Sequence, residues 1–590
     1  MREVQPGSAI AFVALLALAA IPAAQADSLK VTVGGVDHEL ADAVRAQVSA
    51  SQYVGRKDVS ATQARALADD ATREAATALQ PYGYYNATAE SKLTHQGTAW
   101  TLHLEVTPGP ATKVSALDVQ VPDVALKLPP VRHAVHAFHP RVGEQMNDAT
   151  YEASKGAIGT ALLENGWLDA EATVHRVDVT RATNSAAIHL HYKVGERYKL
   201  GDVSFEGSQF KSGFLQRYVP WKSGDWYSQA DLLALQQALT DADYFSIVDV
   251  EPKVAEANNH VVPVKVEVAP AKRTVYTAGV FVGTDTGPGV RAGARRRWIN
   301  RSGHTLDTQV LVAQRLKTAQ VVYGIPRAGH DHASFNLGIG YRDENTDTSQ
   351  SRTFSIAANE TRDWHGFVRT LGVHLLTGTF TVGNSGNDNV NIPGIERGSS
   401  TLIYTEIGLT KKVADNPLFV RTGYSVNFIA RAGPGIDTRF AQALANVKWI
   451  YALGRSNRLI IHGEAGITSV ADFSKLPPQL RFFAGGAQSN RGYAYQAIGP
   501  RNAYGLVVGG ERLLAGGATL EHYFTRDWGM AAFVDSGDAF NGTDFHAQTG
   551  AGFGLRWRSP VGLVRIDLGV PINNPYHHGV QLNILIGPDF

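Results

Sequence analysis

Apolar positions recur along this chain in two rhythms, and the change between them falls near residue 272. Before it, helical spacing runs over Ala61 to Leu79, Tyr151 to Glu164 and Gln229 to Leu239. Each stretch leads to an aromatic corner and then to alternating strands: Pro81-Tyr82-Gly83-Tyr84-Tyr85, Gly166-Trp167 and Tyr244-Phe245. Tyr84, Trp167 and Tyr244 are 83 and 77 residues apart, and Pro108-Gly109-Pro110, Gly195 and Pro270 end the units. The repeat predicts three α+β modules at 27–110, 111–196 and 197–271, each a three-stranded sheet covered by two helices in the order β-α-α-β-β.

From Lys272 onward, segments of roughly ten residues alternate polar with apolar between Gly, Asn, Asp and Pro. Val564, Ile566, Leu568, Val570 and Ile572 interleave with Arg565, Asp567 and Gly569. Val580, Leu582, Ile584 and Ile586 interleave with Gln581 and Asn583, and Leu555 and Trp557 with Arg556 and Arg558. One face suits lipid and the other water. A soluble sandwich would alternate similarly, so two further signs decide for a transmembrane antiparallel β-barrel over 272–590. The first is an export signal. The second is the recurrence of Trp298, Tyr323, Tyr341, Trp364, Trp449, Tyr451, Trp528 and Trp557 at segment ends, where an interfacial girdle needs them. Sixteen strands of about 11 residues would leave roughly nine or ten residues per connection, and the same arithmetic also admits fourteen or eighteen.

The export signal is at the start. Arg2 precedes an apolar run from Ala9 to Ile21, followed by Ala24-Gln25-Ala26, a small-residue cleavage site. The run is about 13 residues where a helical anchor needs about 20, so residues 1–26 are expected to be a signal peptide. No later stretch of 18 apolar residues occurs, and any membrane crossing then falls to strands.

Composition removes other chemistries. A formal charge of +1 over 590 residues offers no field for nucleic acid, and the lack of cysteine excludes disulfides and thiol catalysis. No Gly-x-Ser-x-Gly elbow or His-Glu-x-x-His helix is present, so neither an enzyme nor a cofactor is expected. Gly287-Pro288-Gly289 reads as a hairpin rather than a dinucleotide loop, because alternation follows it. His133, His136 and His139 lack adjacent carboxylates and are not expected to hold a metal. Arg295, Arg296 and Arg297 are expected to line the lumen and anchor the interface.

The three modules resemble POTRA (polypeptide-transport-associated) domains. Within the barrel region, Arg481-Phe482-Phe483-Ala484-Gly485-Gly486 with Asn490-Arg491-Gly492-Tyr493 resembles the inward-folded sixth loop of the BamA/TamA/FhaC superfamily. Ala518-Thr519-Leu520-Glu521 and Phe533-Val534-Asp535-Ser536-Gly537 resemble the strands that accompany that loop, and 552–562 resembles the penultimate strands. The resemblance implies a loop lock of Arg491, Gly492, Tyr493, Glu521, Asp535 and Gly537, in which both carboxylates take the planar Arg491 fork. Phe590 resembles the C-terminal signal read during barrel assembly.

The resemblance further implies an outer-membrane location with periplasmic modules, and insertion or translocation of other proteins. A lateral seam is expected where the first barrel strand, near Val275 and Val280, meets the last, near Val580, Leu582, Ile584 and Gly587. Three modules match the TamA-type branch, since BamA-like members carry five and two-partner secretion transporters two. Implied partners are a TamB-like, inner-membrane-anchored periplasmic protein, unfolded outer-membrane or autotransporter clients, and the lipid bilayer. The rival readings are a two-partner-type secretion pore for a dedicated substrate and a passive porin.

Overall fold

A computed structural model describes residues 28–56, 58–211, 213–327, 333–383, 393–416, 419–560, 562–573, 579–587 and 589. The expected signal peptide and Phe590 lie outside the described residues. The chain forms two compact units: residues up to 200 with 224–229 and 258–261, and residues 201–223, 230–257 and 262–590.

In the first unit, module one comprises β1 (Ser28–Gly34), α1 (His38–Gln47), α2 (Ala61–Ala78), β2 (Thr88–Gln96) and β3 (Ala99–Thr107). Side-chain caps start the helices: Asp37 accepts from the Leu40 N–H at 2.9 Å and Ser60 from the Gln63 N–H at 3.2 Å. Ala64, Ala68, Ala71 and Ala75 form a stripe of small side chains, so α2 lies close against Leu102, Leu104 and Val106 of β3. The sheet order is β1-β3-β2, with β1 parallel to β3.

Module two repeats the plan with β4 (Lys113–Gln120), α3 (Asp123–Leu126), α4 (Pro129–His136), α5 (Asp148–Glu164), β5 (Glu171–Thr180) and β6 (Ser185–Lys193), in the sheet order β4-β6-β5. It holds a short third helix beyond the two expected. The corners explain the repeat. Gly83 and Gly166 have φ of +87° and +96°, a left-handed conformation that turns the chain from helix to strand. The Gly83 carbonyl accepts the Thr112 N–H at 2.9 Å, and the Gly166 carbonyl accepts the Tyr198 N–H at 2.8 Å. A Cβ on Gly83 would lie 2.2 Å from the Met146 carbonyl oxygen, so the first corner is also a joint with module two.

The second unit begins with most of β7 (Lys199–Glu206) and contains α6 (Gln229–Asp241), β8 (Phe245–Pro252) and β9 (Val261–Pro270), ordered β7-β9-β8. Module three has one α-helix where two were expected, because a 3₁₀ turn at Leu215–Tyr218 takes the place of the first. Its corner uses Asp243 at φ +59°. The Tyr244 hydroxyl donates to the Gly303 carbonyl at 2.7 Å, and Phe210 packs against Phe214, Tyr244, Phe245 and Trp298. Arg297 pairs with Asp243 at 2.9 Å and Arg295 approaches it at 3.8 Å. Arg295 and Arg297, which the sequence puts on one face, thus both reach the carboxylate at the module-three corner. Trp298 likewise packs on Phe210.

The rest is a closed sixteen-stranded antiparallel barrel. Its first half is β10 (Thr274–Gly283), β11 (Gly287–Arg296), β12 (Thr305–Ala313), β13 (Leu316–Pro326), β14 (Ser334–Asn345), β15 (Ser349–Trp364), β16 (Phe367–Val382) and β17 (Glu396–Ala414). The second half is β18 (Gly423–Gly433), β19 (Phe440–Leu453), β20 (Asn457–Val470), β21 (Arg512–Tyr523), β22 (Trp528–Phe540), β23 (Gln548–Ser559), β24 (Gly562–Pro571) and β25 (Gln581–Gly587). Gly287-Pro288-Gly289 opens β11 after a short turn, as a hairpin requires.

The alternation sorts faces as expected. Leu568, Val570 and Leu582 point outward and are exposed, whereas the adjoining Asp567 and Asn583 are buried inside. Tyr341, Trp364, Trp449, Tyr451, Trp528 and Trp557 are exposed on the outer surface, and the last two stack 5.5 Å apart. Among the described residues no helix is long and apolar enough to cross a membrane.

Candidate functional site

The connection between β20 and β21 folds into the barrel and carries the Arg491 segment. Arg481 fixes its neck, donating to the carbonyls of Leu476 and Val508 at 2.8 and 2.9 Å and to that of Phe473 at 3.2 Å. Farther along, Gln496 accepts hydroxyl bonds from Thr346 at 3.0 Å and Thr348 at 2.9 Å, tying the loop to the β14–β15 side of the wall. Phe482, Ala484, Tyr493 and Ile498 pack with Leu513, Ala515 and Ala539 of β21 and β22.

At the tip, Arg491 donates from Nε to Asp535 at 2.8 Å and from Nη2 to the other Asp535 oxygen at 2.7 Å. Nη2 also reaches the Thr519 hydroxyl at 2.8 Å, and Nη1 reaches Asp567 at 3.3 Å. The guanidinium lies over the Phe533 ring, 3.7 Å from its centroid, an added cation–π contact. Gly492 is required by close approach rather than by a left-handed turn. A Cβ there would meet the Gly550 Cα at 2.7 Å and the Val570 carbonyl oxygen at 2.8 Å. Gly537 is confined similarly, 2.5 Å from the Ala515 Cβ. Tyr493 is buried, with its hydroxyl 3.4 Å from Gln548 Oε1.

Glu521 does not take Arg491, and the expected two-carboxylate clamp is corrected. Thr519 occupies the place on β21 that faces the tip, and Glu521 lies two residues farther on, about 6.8 Å along an antiparallel strand. Glu521 instead accepts Arg458 at 2.5 Å, its direct cross-strand neighbour, and Arg556 at 2.6 Å. Arg556 in turn reaches Asp567 at 2.6 Å. The second anion on Arg491 is therefore Asp567, and a line of alternating charges runs Asp535, Arg491, Asp567, Arg556, Glu521, Arg458. All six are buried, so each needs its neighbours to offset desolvation.

The line continues to Asp589. Its carboxylate accepts Arg458 at 2.7 and 3.1 Å, Arg565 at 3.0 Å and the Val420 N–H at 3.1 Å, and its backbone oxygen accepts Lys448 Nζ at 2.7 Å. Asn583 of β25 donates to the Arg491 carbonyl at 2.8 Å, joining the last strand directly to the loop tip. Asp567, Arg556, Arg458, Asp589 and Asn583 were not among the expected lock residues, although the polar phase of their strands placed Asp567, Arg556 and Asn583 on the wet face.

At the seam, β25 runs along β24 in register from Gln581 opposite Gly569 to Gly587 opposite Leu563. Toward β10 it has, among the described residues, one registered pair, Gly283 opposite Leu585, beside a 3.3 Å bond from the Thr284 N–H to the Ile584 carbonyl. Among the described residues, Val275 and Val280, expected to meet the last strand, are in register only with Arg295 and Val290 of β11, and Val580 precedes β25. The contact sits at the end of β10. Tyr276 and Val280 are left 78% and 86% exposed.

Elsewhere, His139 does have a carboxylate neighbour, Glu144 at 2.9 Å, contrary to expectation. No cluster suited to a metal ion occurs among the described residues.

Comparison with known proteins agrees with this architecture. Residues 300–590 match the Omp85 superfamily domain, residues 30–108 the first POTRA domain of TamA, and residues 198–271 the POTRA surface-antigen repeat. The outer membrane protein assembly factor BamA of Nitratidesulfovibrio vulgaris is 23% identical over 436 residues, covering 70% of this chain and 53% of its own length. BamA of Neisseria meningitidis serogroup B is 26% identical over 214 residues, covering 30% of this chain and 27% of its own. The chain thus spans about half the length of the first relative and about a quarter of the second. The crystal structure of BamA from Haemophilus ducreyi lacking POTRA domains 1–3 shares the fold, with a TM-score of 0.65 at 17% identity over 80% of this chain and 99% of that one. Residues 300–590 are thus an Omp85 superfamily domain that follows POTRA modules, with the barrel in the outer membrane and the N-terminal modules in the periplasm.

Proposed function

We propose that this protein inserts or translocates outer-membrane clients at the seam between β10 and β25, acting as a three-module, TamA-type assembly factor with no covalent chemistry. The observation that carries the reading is the contrast at the seam: among the described residues one registered pair joins β10 to β25, while β10 and β11 pair along their whole length. An unpaired edge bonds an incoming strand through its backbone and so accepts many sequences. Autotransporters and other barrel precursors present such strands, and the exposed edges of the POTRA sheets offer an earlier station for them. A TamB-like periplasmic partner anchored in the inner membrane would deliver them. The lumen holds the Arg491 loop on buried ion pairs, an arrangement that favours lateral traffic over a passive pore.

Gly283→Cys with Leu585→Cys, in a chain otherwise free of cysteine, tests this directly. Oxidised protein in liposomes should lose insertion of an unfolded barrel client and regain it on reduction. Equal insertion by the oxidised and reduced forms would overturn the reading.

A further inference from the structure

The barrel strands alternate in direction from β10, which leaves module three on the periplasmic side, so β15 and β17 begin and β16 ends at the external rim. Phe354 and Ile356 of β15 are exposed on the outer wall, and Phe354 stands opposite Tyr341 of β14 in the external aromatic girdle. Two residues nearer the rim, the same face of β15 carries Arg352, whose side chain is 62% exposed. Thr379 is opposite Arg352, Ser399 opposite Thr379, and Arg397 opposite Thr381, so the register puts all of them on the outer face just above the girdle. Among the described residues β17 pairs with β18 only from Thr405 onward, and the neck of the long loop, Phe473–Lys475, lies against β17. Lys475 thereby closes one side of a groove of about 570 Å³ whose walls include Arg352, Arg397, Thr379, Thr381 and Ser399. Of the neighbouring carboxylates, Asp343 is 3.5 Å from Arg352, Asp437 accepts the Thr401 N–H at 2.6 Å and Asp472 accepts the Ser474 N–H at 3.0 Å; none of the three lines the groove.

We infer that this groove binds a phosphorylated glycolipid of the outer leaflet, with Arg352, Arg397 and Lys475 on the phosphates, the hydroxyls of Thr379, Thr381 and Ser399 toward the sugar, and the acyl chains over Phe354 and Ile356. Charge and depth choose the occupant. Guanidinium forks match phosphate oxygens in a two-pronged way, and a neutral headgroup would leave three cations unanswered. The apolar wall continues directly below the cations, which suits a ligand carrying both phosphate and hydrocarbon rather than a free phosphate ion. Strand spacing sets the backbones of Arg352 and Arg397 about 10 Å apart across β16 and about 7 Å apart along it, so two phosphates joined through sugar can meet both cations. Because Lys475 belongs to the neck that Arg481 fixes, the bound lipid joins that neck to the outer leaflet. The groove lies on β15 to β17, away from the seam, and does not depend on the seam being the client's route.

The test is binding of lipid A, a bisphosphorylated glycolipid, to the full-length protein in detergent micelles, read by native mass spectrometry, with folding read from heat-modifiable gel mobility. A single lipid should be retained. Arg352→Gln, Arg397→Gln and Lys475→Gln together should weaken its binding by at least about tenfold, as the loss of charge-assisted hydrogen bonds requires. Arg397→Gln alone should weaken it several-fold, which keeps the test valid if the triple variant does not fold. Lys411→Gln removes a cation that sits over the Phe367 ring at the periplasmic end of β17, and should leave binding unchanged. Lipid A stripped of both phosphates should bind far more weakly, and millimolar inorganic phosphate should not displace the intact lipid. Unchanged binding in the folded groove variants, an equal loss in Lys411→Gln, or equal retention of the dephosphorylated lipid would overturn the site. Displacement by inorganic phosphate would overturn the lipid as its occupant.

Discussion

The carboxylate of Asp535 binds Arg491 three times, taking Nε at 2.8 Å, Nη2 at 2.7 Å and the residue's own backbone N–H at 3.0 Å. Side chain and main chain of the loop tip are therefore fixed by one strand residue. A charge-assisted, two-pronged contact of this kind specifies geometry as well as adding energy.

Removal of Arg491 leaves Asp535 and Asp567 buried beside each other's charge. Arg491→Ala should cost about 3–5 kcal/mol of barrel stability, the range for breaking a buried ion pair, read by urea unfolding in detergent or lipid. A double-mutant cycle then discriminates partners. Arg491 with Asp535 should show coupling of roughly 1–3 kcal/mol, and Arg491 with Glu521 clearly less, because only the first pair is in contact. Equal coupling in the two cycles would restore the clamp of two strand carboxylates on one arginine.

Gly492 tests the closeness of the loop to the wall. Gly492→Ala places a methyl against backbone on two strands, Gly550 Cα and the Val570 carbonyl, which cannot rotate away. It should destabilise the folded barrel by about 1–3 kcal/mol. Gly338→Ala, whose new Cβ meets nothing nearer than 3.9 Å, should be close to neutral. Equal heat-modifiable melting of the two variants would mean the loop does not rest on the wall.

Much of this was legible in the sequence, for reasons the residues make plain. The phase of Val564 to Ile572 fixes which side chains face lipid, since period two allows only two assignments. The corners at Gly83 and Gly166 were legible because a helix-to-strand reversal demands a left-handed residue, and glycine meets that demand at low cost. Pairing across the lumen was less legible. Glu521 stands directly opposite Arg458, a relation set by the register of β20 on β21, and a long loop between those strands hides that register from the sequence. Asp589 was invisible for a related reason: its partners Arg458, Arg565 and Lys448 come from three strands far from it in the pairing order or the sequence.

The joint between the first two modules should show an alkaline limit. Burial, followed by the charge and hydrogen bond of Asp148, pushes the Tyr85 hydroxyl from 10.0 up to about 12. A folded-state value above the unfolded one means that the contribution of the neutral phenol is complete below the ordinary value and is lost as pH rises through about 12. Hydrogen exchange in peptides covering 82–86 and 146–150 should therefore accelerate between pH 10 and 12, after correction for intrinsic rates. Tyr85→Phe should remove that added acceleration. Its persistence in the variant would assign the alkaline response to another group.

The central claim is that a wall pinned by internal ion pairs carries one weak line, at β10 against β25. Hydrogen exchange of the full-length protein in lipid bilayers measures this strand by strand. Amides of β10 from Thr274 to Val282 that point away from β11 should exchange much faster than those of β20 to β24. Protection of β10 equal to that of β20 to β24 would contradict the account.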